Sequence, residues 1–184
     1  MLWKWIAFAA GSGGLIYVSR AALRDPRSHG FYRFFAWEAI LGLFLLNVGV
    51  WFVDPFAWHQ CIAWALLFAC IVPVTWGTVL LRRAGKPART REQDAGLLAF
   101  EKTTALVTSG IYRYIRHPLY CSLLLLAWGI FFKRPSLAGA GLAGTATVFL
   151  VLTARADEVE CIRYFGPPYE TYMKTTRRFI PFIY

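Results

Sequence analysis

Negative charge is scarce in this chain of 184 residues, with 10 Asp and Glu against 20 Lys and Arg, and charged residues of every kind make up only 16%. Histidine and cysteine are few as well, at 3 and 4. Cys61, Cys70, Cys121 and Cys161 form no C-x-x-C pair and three lie inside apolar runs, so buried thiols are expected rather than disulfides or a metal centre. His29, His59 and His117 are far apart in sequence, and no metal ligand set is expected from them. No glycine-rich fingerprint follows a strand-like run, which argues against a Rossmann nucleotide domain. What the chain has in excess is apolar surface: 58% of its residues are hydrophobic and its mean hydropathy is +0.47. A soluble globular chain rarely carries that much.

A bilayer core about 30 Å thick takes roughly 20 apolar residues at 1.5 Å rise, and five runs approach that length. They are Leu2 to Ser19, Phe34 to Val53, Cys61 to Leu81, Leu119 to Phe132 and Ser136 to Thr153. The expected fold is an all-α integral membrane protein of about five spans, in a single domain over 1–184: N-terminal spans over 1–100 and a functional core over 101–184. The last two runs read as a helical hairpin, because only Lys133, Arg134 and Pro135 separate them. Leu119 to Phe132 is short, and Arg116 or Lys133 is expected to snorkel and extend it. Seventeen of the 20 basic residues fall in alternate loops, leaving Lys4, Lys133 and Arg134 on the other side. By the positive-inside tendency the N-terminus lies outside, and the C-terminus and active site lie in the cytosol. The net charge of +10 therefore reads as attraction to anionic headgroups, with membrane lipids as partners and no nucleic acid.

Two segments on the basic side break the apolar pattern. Leu106 to Tyr120 reads LVTSGIYRYIRHPLY. Gly110 permits a turn, and Pro118 suits the first turn of the following helix while holding His117 out of helical geometry. Arg116, His117 and Tyr120 are thereby set beside a helix N-terminus, where free N–H groups and the helix dipole favour an anion. Arg155 to Pro181 carries the acids Asp157, Glu158 and Glu160, then Phe165-Gly166, Tyr169, Tyr172 and Arg178-Phe179-Ile180-Pro181. Helical spacing puts Glu158 on the face of Ile162 and Phe165, and Asp157 beside Cys161, so one acid can point inward while Glu160 pairs with Arg163. Tyr169, Tyr172, Phe179 and Phe182 look fit to pack over a site.

These two motifs, in this order and spacing, resemble the isoprenylcysteine carboxyl methyltransferase and phospholipid methyltransferase superfamily over roughly Thr104 to Pro181. The resemblance implies membrane helices whose cytosolic ends and C-terminal segment enclose S-adenosylmethionine, and an acceptor that is a lipid or a lipid-modified group entering from the bilayer. It implies cofactor contacts at Thr104, Leu106, Val107, Tyr112, His117, Pro118, Leu119 and Tyr120, and at one carboxylate of Asp157 and Glu158. Arg116 or His117 is expected to hold the methionine carboxylate. Glu158 is expected to reach the cofactor, and to act as base if the acceptor is an amine, with Asp157 turned to solvent; Arg116 and Glu158 are thus the expected catalytic pair. Three departures separate the chain from the prenylcysteine enzymes: Thr104 stands where the family often has histidine, Asp157-Glu158 where it usually has two glutamates, and the arginine that helps hold the prenylcysteine carboxylate has no matching position, Arg155 being near it. Two other readings of the residues stay open. A membrane reductase would use Arg82, Arg83, Lys86, Arg89 and Arg91 for the phosphate of NADPH, and a membrane scaffold would bind no cofactor.

Overall fold

The computed structural model describes residues 2–86 and 101–181, all helices and connecting loops. Arg89, Arg91 and Phe182 lie outside the described residues. The helices are α1 (Leu2–Ser19), α2 (His29–Asn47), α3 (Trp58–Ala69), α4 (Ile71–Ala84), α5 (Pro118–Lys133), α6 (Leu137–Phe165) and α7 (Pro167–Thr175). Three stretches are long and apolar enough to cross a bilayer: His29–Val50, Trp58–Ala84 and Leu137–Phe165, with Pro118–Lys133 as a shorter apolar helix. In lipid only a closed hydrogen-bond ladder satisfies the backbone, and apolar runs of this length therefore become helices.

Local chemistry shifts the boundaries from those the apolar runs suggest. α2 begins five residues before Phe34 because Ser28, in extended geometry, caps it by accepting from the Phe31 amide at 3.2 Å. α3 and α4 form one run of 27 residues. It breaks at Cys70, where Pro73 withdraws the N–H that would have bonded Ala69. α6 runs for 29 residues, about 43 Å, so it passes Thr153 without interruption and carries the acids beyond the apolar stretch. Gly166 stops it with φ +64°, a region that side chains disfavour, and Pro167 opens α7 at once.

α5 and α6 form the expected hairpin, its turn capped by Ser136, whose hydroxyl accepts from the Gly139 amide at 3.0 Å. Ala36, Ala39, Ala127, Ala143, Ala146 and Ala154 are buried where α2, α5 and α6 meet, so small side chains bring these backbones together, and Leu43, Ile130 and Leu150 fill the remainder. Lys133 does not snorkel: it is 1% exposed and folded inward. Contacts also sort the loops by end. His29 at the start of α2 reaches Glu160 near the close of α6, while Lys4 donates to the Leu46 carbonyl at the opposite end.

Candidate active site

The chain between Thr103 and Pro118 crosses the mouth of the bundle as an extended loop. Thr104 and Ala105 donate their amides to the Gly85 carbonyl, tying the loop to the end of α4. A short 3-10 turn, Gly110–Arg113, then reverses direction, with Gly110 at φ +60°. The positive φ favours glycine there, and a Cβ would also press on the end of the Leu80 side chain at 2.6 Å. From Tyr114 onward the loop pairs with the segment after α7: Arg177 donates to the Tyr114 carbonyl at 3.1 Å, Arg116 to the Arg177 carbonyl at 2.7 Å, and His117 to the Arg178 carbonyl at 3.1 Å. The two sequence motifs thus meet through their backbones.

Their side chains meet in a buried charge cluster. Glu158, 3% exposed, receives Arg116 Nε at 2.9 Å and Arg178 Nη2 at 2.8 Å. Arg116 also donates to the carbonyls of Met173 and Thr176, which locks the end of α7. The His117 ring lies between the two acids, Nδ1 3.4 Å from Asp157 Oδ2 and Nε2 3.4 Å from Glu158 Oε1. Burial alone would lower the His117 pKa, but its hydrogen bonds to Asp157 and Glu158 outweigh that and raise it above its ordinary value. Tyr120 stacks on the His117 ring at 5.3 Å and donates its hydroxyl to Asp157 at 3.2 Å.

Beside this cluster opens a cavity of about 690 Å³, counting its mouth. Leu106, Val107, Tyr112, Arg116, His117, Pro118, Leu119, Tyr120 and Asp157 line it, bringing together most of the residues that the motifs single out. Two of the singled-out residues lie off the wall. Thr104 is exposed and donates its hydroxyl to the Lys86 carbonyl at 2.8 Å, while its neighbour Thr103 lines the cavity. Of the two acids, Asp157 is on the wall and Glu158 is off it, with its oxygens committed to the two guanidiniums.

Leu81, Glu101, Thr103 and Cys161 complete the wall without having been singled out, and Phe165, Tyr169 and Tyr172 close one side. Glu101 had a partner that no spacing rule reveals, Arg33 of α2, whose Nη1 donates to it at 2.8 Å. Tyr172 donates to the Tyr112 carbonyl at 2.6 Å, and burial raises the pKa of both phenols and of Tyr169, so all three remain protonated. Glu160 pairs with neither Arg163 nor solvent: its carboxylate takes the His29 amide at 2.8 Å and meets the His29 ring at 2.6 Å. With Asp157 these two offer atoms within 4.8 Å of one another, a grouping that sequence separation hid.

The loop, α5 and the whole of α6 fall within the region 90–166 that matches the phospholipid methyltransferase family. This segment is similar to a methyltransferase family. The chain is also 31% identical over 78 residues to a methanethiol S-methyltransferase of Crocosphaera subtropica, a match covering 41% of this chain and 29% of that protein. The chain thus spans under a third of that relative's length. No solved structure matches. The superfamily resemblance carried by the two motifs stands on these matches, and the apolar helices agree with a membrane protein.

Proposed function

We propose that the chain is an integral membrane methyltransferase using S-adenosylmethionine, and that its acceptor is a lipid or another lipophilic molecule. The observation that carries this reading is the cavity built mostly by the matched segment and closed by α7, whose wall combines the carboxylates Glu101 and Asp157 with the rings of Tyr112, Tyr120, Phe165, Tyr169 and Tyr172. Acids and aromatic faces together suit a cationic ligand, and a sulfonium with an ammonium group is one. The first turn of α5 supplies free N–H groups for the ligand's anionic end. Bound there, S-adenosylmethionine would supply an electrophilic methyl on sulfur.

The residues' own work is alignment and exclusion of water, which contribute about 7–11 kcal/mol at best. Asp157 would hold ribose or amino donors, and the stacked pair His117 and Tyr120 would fix its orientation. Arg116 on the wall and Glu158 behind it act as positioning residues, clamping the loop to the C-terminal segment. A carboxylate acceptor needs no base; an amine or a thiol must lose a proton, and Asp157 and Glu101 are the carboxylates of the wall that can take it. The relative named for methanethiol makes a thiol acceptor worth including beside phospholipid amines and prenylcysteine carboxylates.

The five-span arrangement, with α1 as a span and the site in the cytosol, belongs to the same proposal. Its support is that His29, the Thr103–His117 loop and α7 gather at one end of the bundle, with Lys4, Lys133 and Arg134 toward the other. Calorimetric titration of the full chain in nanodiscs should show binding of S-adenosylmethionine and none of NADPH, and methyl-labelled cofactor should mark a lipid or lipophilic thiol detectable by mass spectrometry. Binding of NADPH alone would sink the reading in favour of a reductase.

A further inference from the structure

On the back of the Tyr114–His117 and Arg177–Arg178 pairing lies a second concavity of about 510 Å³, counting its mouth, lined by Arg113, Tyr114, Lys174, Thr175, Arg177 and Pro181. Three of these six are cations and none is an acid. Arg113, Lys174 and Arg177 form no ion pair among the described residues, unlike Arg116 and Arg178 a few ångströms of chain away, which are both committed to Glu158. Unpaired cations sharing one hollow repel one another, and the arrangement is relieved by an anion with several acceptor oxygens. Two guanidiniums offer planar forks that match a phosphate, and the ammonium adds a point charge. Tyr114 of the hollow comes four residues before Pro118, where the apolar helix α5 begins, and it is exposed as an interfacial aromatic would be.

We propose that this hollow is a phosphate-group site filled by the headgroup of an anionic membrane lipid, separate from the candidate cofactor cavity. Occupancy would tie Arg113 of the loop to Lys174 and Arg177 of the C-terminal segment. It would thereby pin the backbone pairing between Tyr114, Arg116 and Arg177, and through it the clamp on Glu158. A lipid headgroup would in this way brace the wall from behind.

The test titrates the full chain in neutral detergent with short-chain phosphatidic acid, short-chain phosphatidylcholine and inorganic phosphate, and follows amide exchange at Arg116 and Arg177. Phosphatidic acid should bind and slow exchange at both amides, with phosphatidylcholine doing neither. Each of Arg113→Gln, Lys174→Gln and Arg177→Gln should weaken binding about fivefold. The combined Arg20→Gln, Arg24→Gln and Arg27→Gln variant, which loses three charges elsewhere against one in each of these, should bind as well as the parent. Equal weakening in that variant reduces the effect to general surface charge and overturns the site. Equal binding of inorganic phosphate overturns the lipid assignment, and unchanged exchange overturns the bracing. If the arginine variants fail to fold, Lys174→Gln, on the exposed face of α7, carries the test alone. None of these readouts needs methyl transfer, so failure here is distinct from failure of the methyltransferase reading.

Discussion

The two ends of α5 both bury cations, and they do so in opposite ways. At the Pro118 end, Arg116 is matched by the carboxylate of Glu158 and borders a cavity. At the other end, Lys133 donates to Gln60 Oε1 at 3.0 Å and lies 3.3 Å from the ring centre of Trp64, with Trp51 at 5.2 Å. Gln60 in turn donates to the carbonyls of Val50, Val53 and Lys133, and Asn47 to that of Ile130. Neither cavity described above reaches this cluster. A polar network that is closed on itself is a fastening, whereas one that leaves an acid such as Asp157 on a cavity wall is a binding surface. Burial of charge alone does not distinguish them.

The largest effect should come from breaking the charged end. Glu158→Ala removes the carboxylate that Arg116 and Arg178 share, and loss of one partner of a buried ion pair costs about 3–5 kcal/mol. Melting of the full chain in detergent should fall steeply, and less so for Glu158→Gln, which keeps an acceptor oxygen. The same clamp should loosen in alkali. His117 has a raised pKa in the folded protein, so its contribution is complete below the unfolded value near 6.5 and is lost as pH rises through the folded one. The melting curve of His117→Gln should lack that alkaline decline; parallel curves for the two proteins would show the ring to be neutral throughout.

Asp157→Asn comes next. It keeps size and one acceptor but removes charge from the cavity wall, and a hydrogen bond to a charged group contributes about 1.5–3 kcal/mol, or roughly tenfold to a hundredfold in cofactor affinity. Lys133→Met at the opposite end sharpens the contrast. Replacing a buried ion by an apolar side chain is often neutral, but Gln60 Oε1 loses its donor, so a stability loss of about 1–2 kcal/mol is expected with cofactor affinity unchanged. A weakened affinity in Lys133→Met would mean that the two ends are coupled along α5.

The helices and the meeting of the two motifs were legible in the sequence because each rests on local chemistry. Apolar runs set the spans, Pro118 and Gly166 set the ends, and the residue types from Leu106 to Tyr120 supply most of the cavity wall. What was not legible depends on partners far along the chain. Which of Asp157 and Glu158 faces the cavity is decided by Arg178 arriving from beyond α7 and by His29 holding Glu160, a contact spanning 131 residues. Helical periodicity places the two acids 100° apart but carries no absolute rotation. Glu101 was hidden for the same reason, since Arg33 lies 68 residues before it. The apolar run of α6 ends at Thr153, although the hydrogen-bond ladder continues to Phe165 regardless of polarity.

The smallest effect is expected one residue away from the wall, at Thr104. Its hydroxyl donates to the Lys86 carbonyl on an exposed loop, and water can replace it in that bond. Valine has the same branched shape, so Thr104→Val should change stability by less than about 0.5 kcal/mol and cofactor affinity by less than about twofold. Thr103 is 6% exposed and lines the cavity, so Thr103→Val removes a polar group that water cannot replace, costing about 1 kcal/mol or roughly fivefold in affinity. Titrating both variants with S-adenosylmethionine reads the register of the loop directly, because the two substitutions are chemically identical and differ only in which side of the backbone they occupy. A larger loss at Thr104 than at Thr103 would mean that the loop entering the site is shifted by one residue in the cofactor-bound protein.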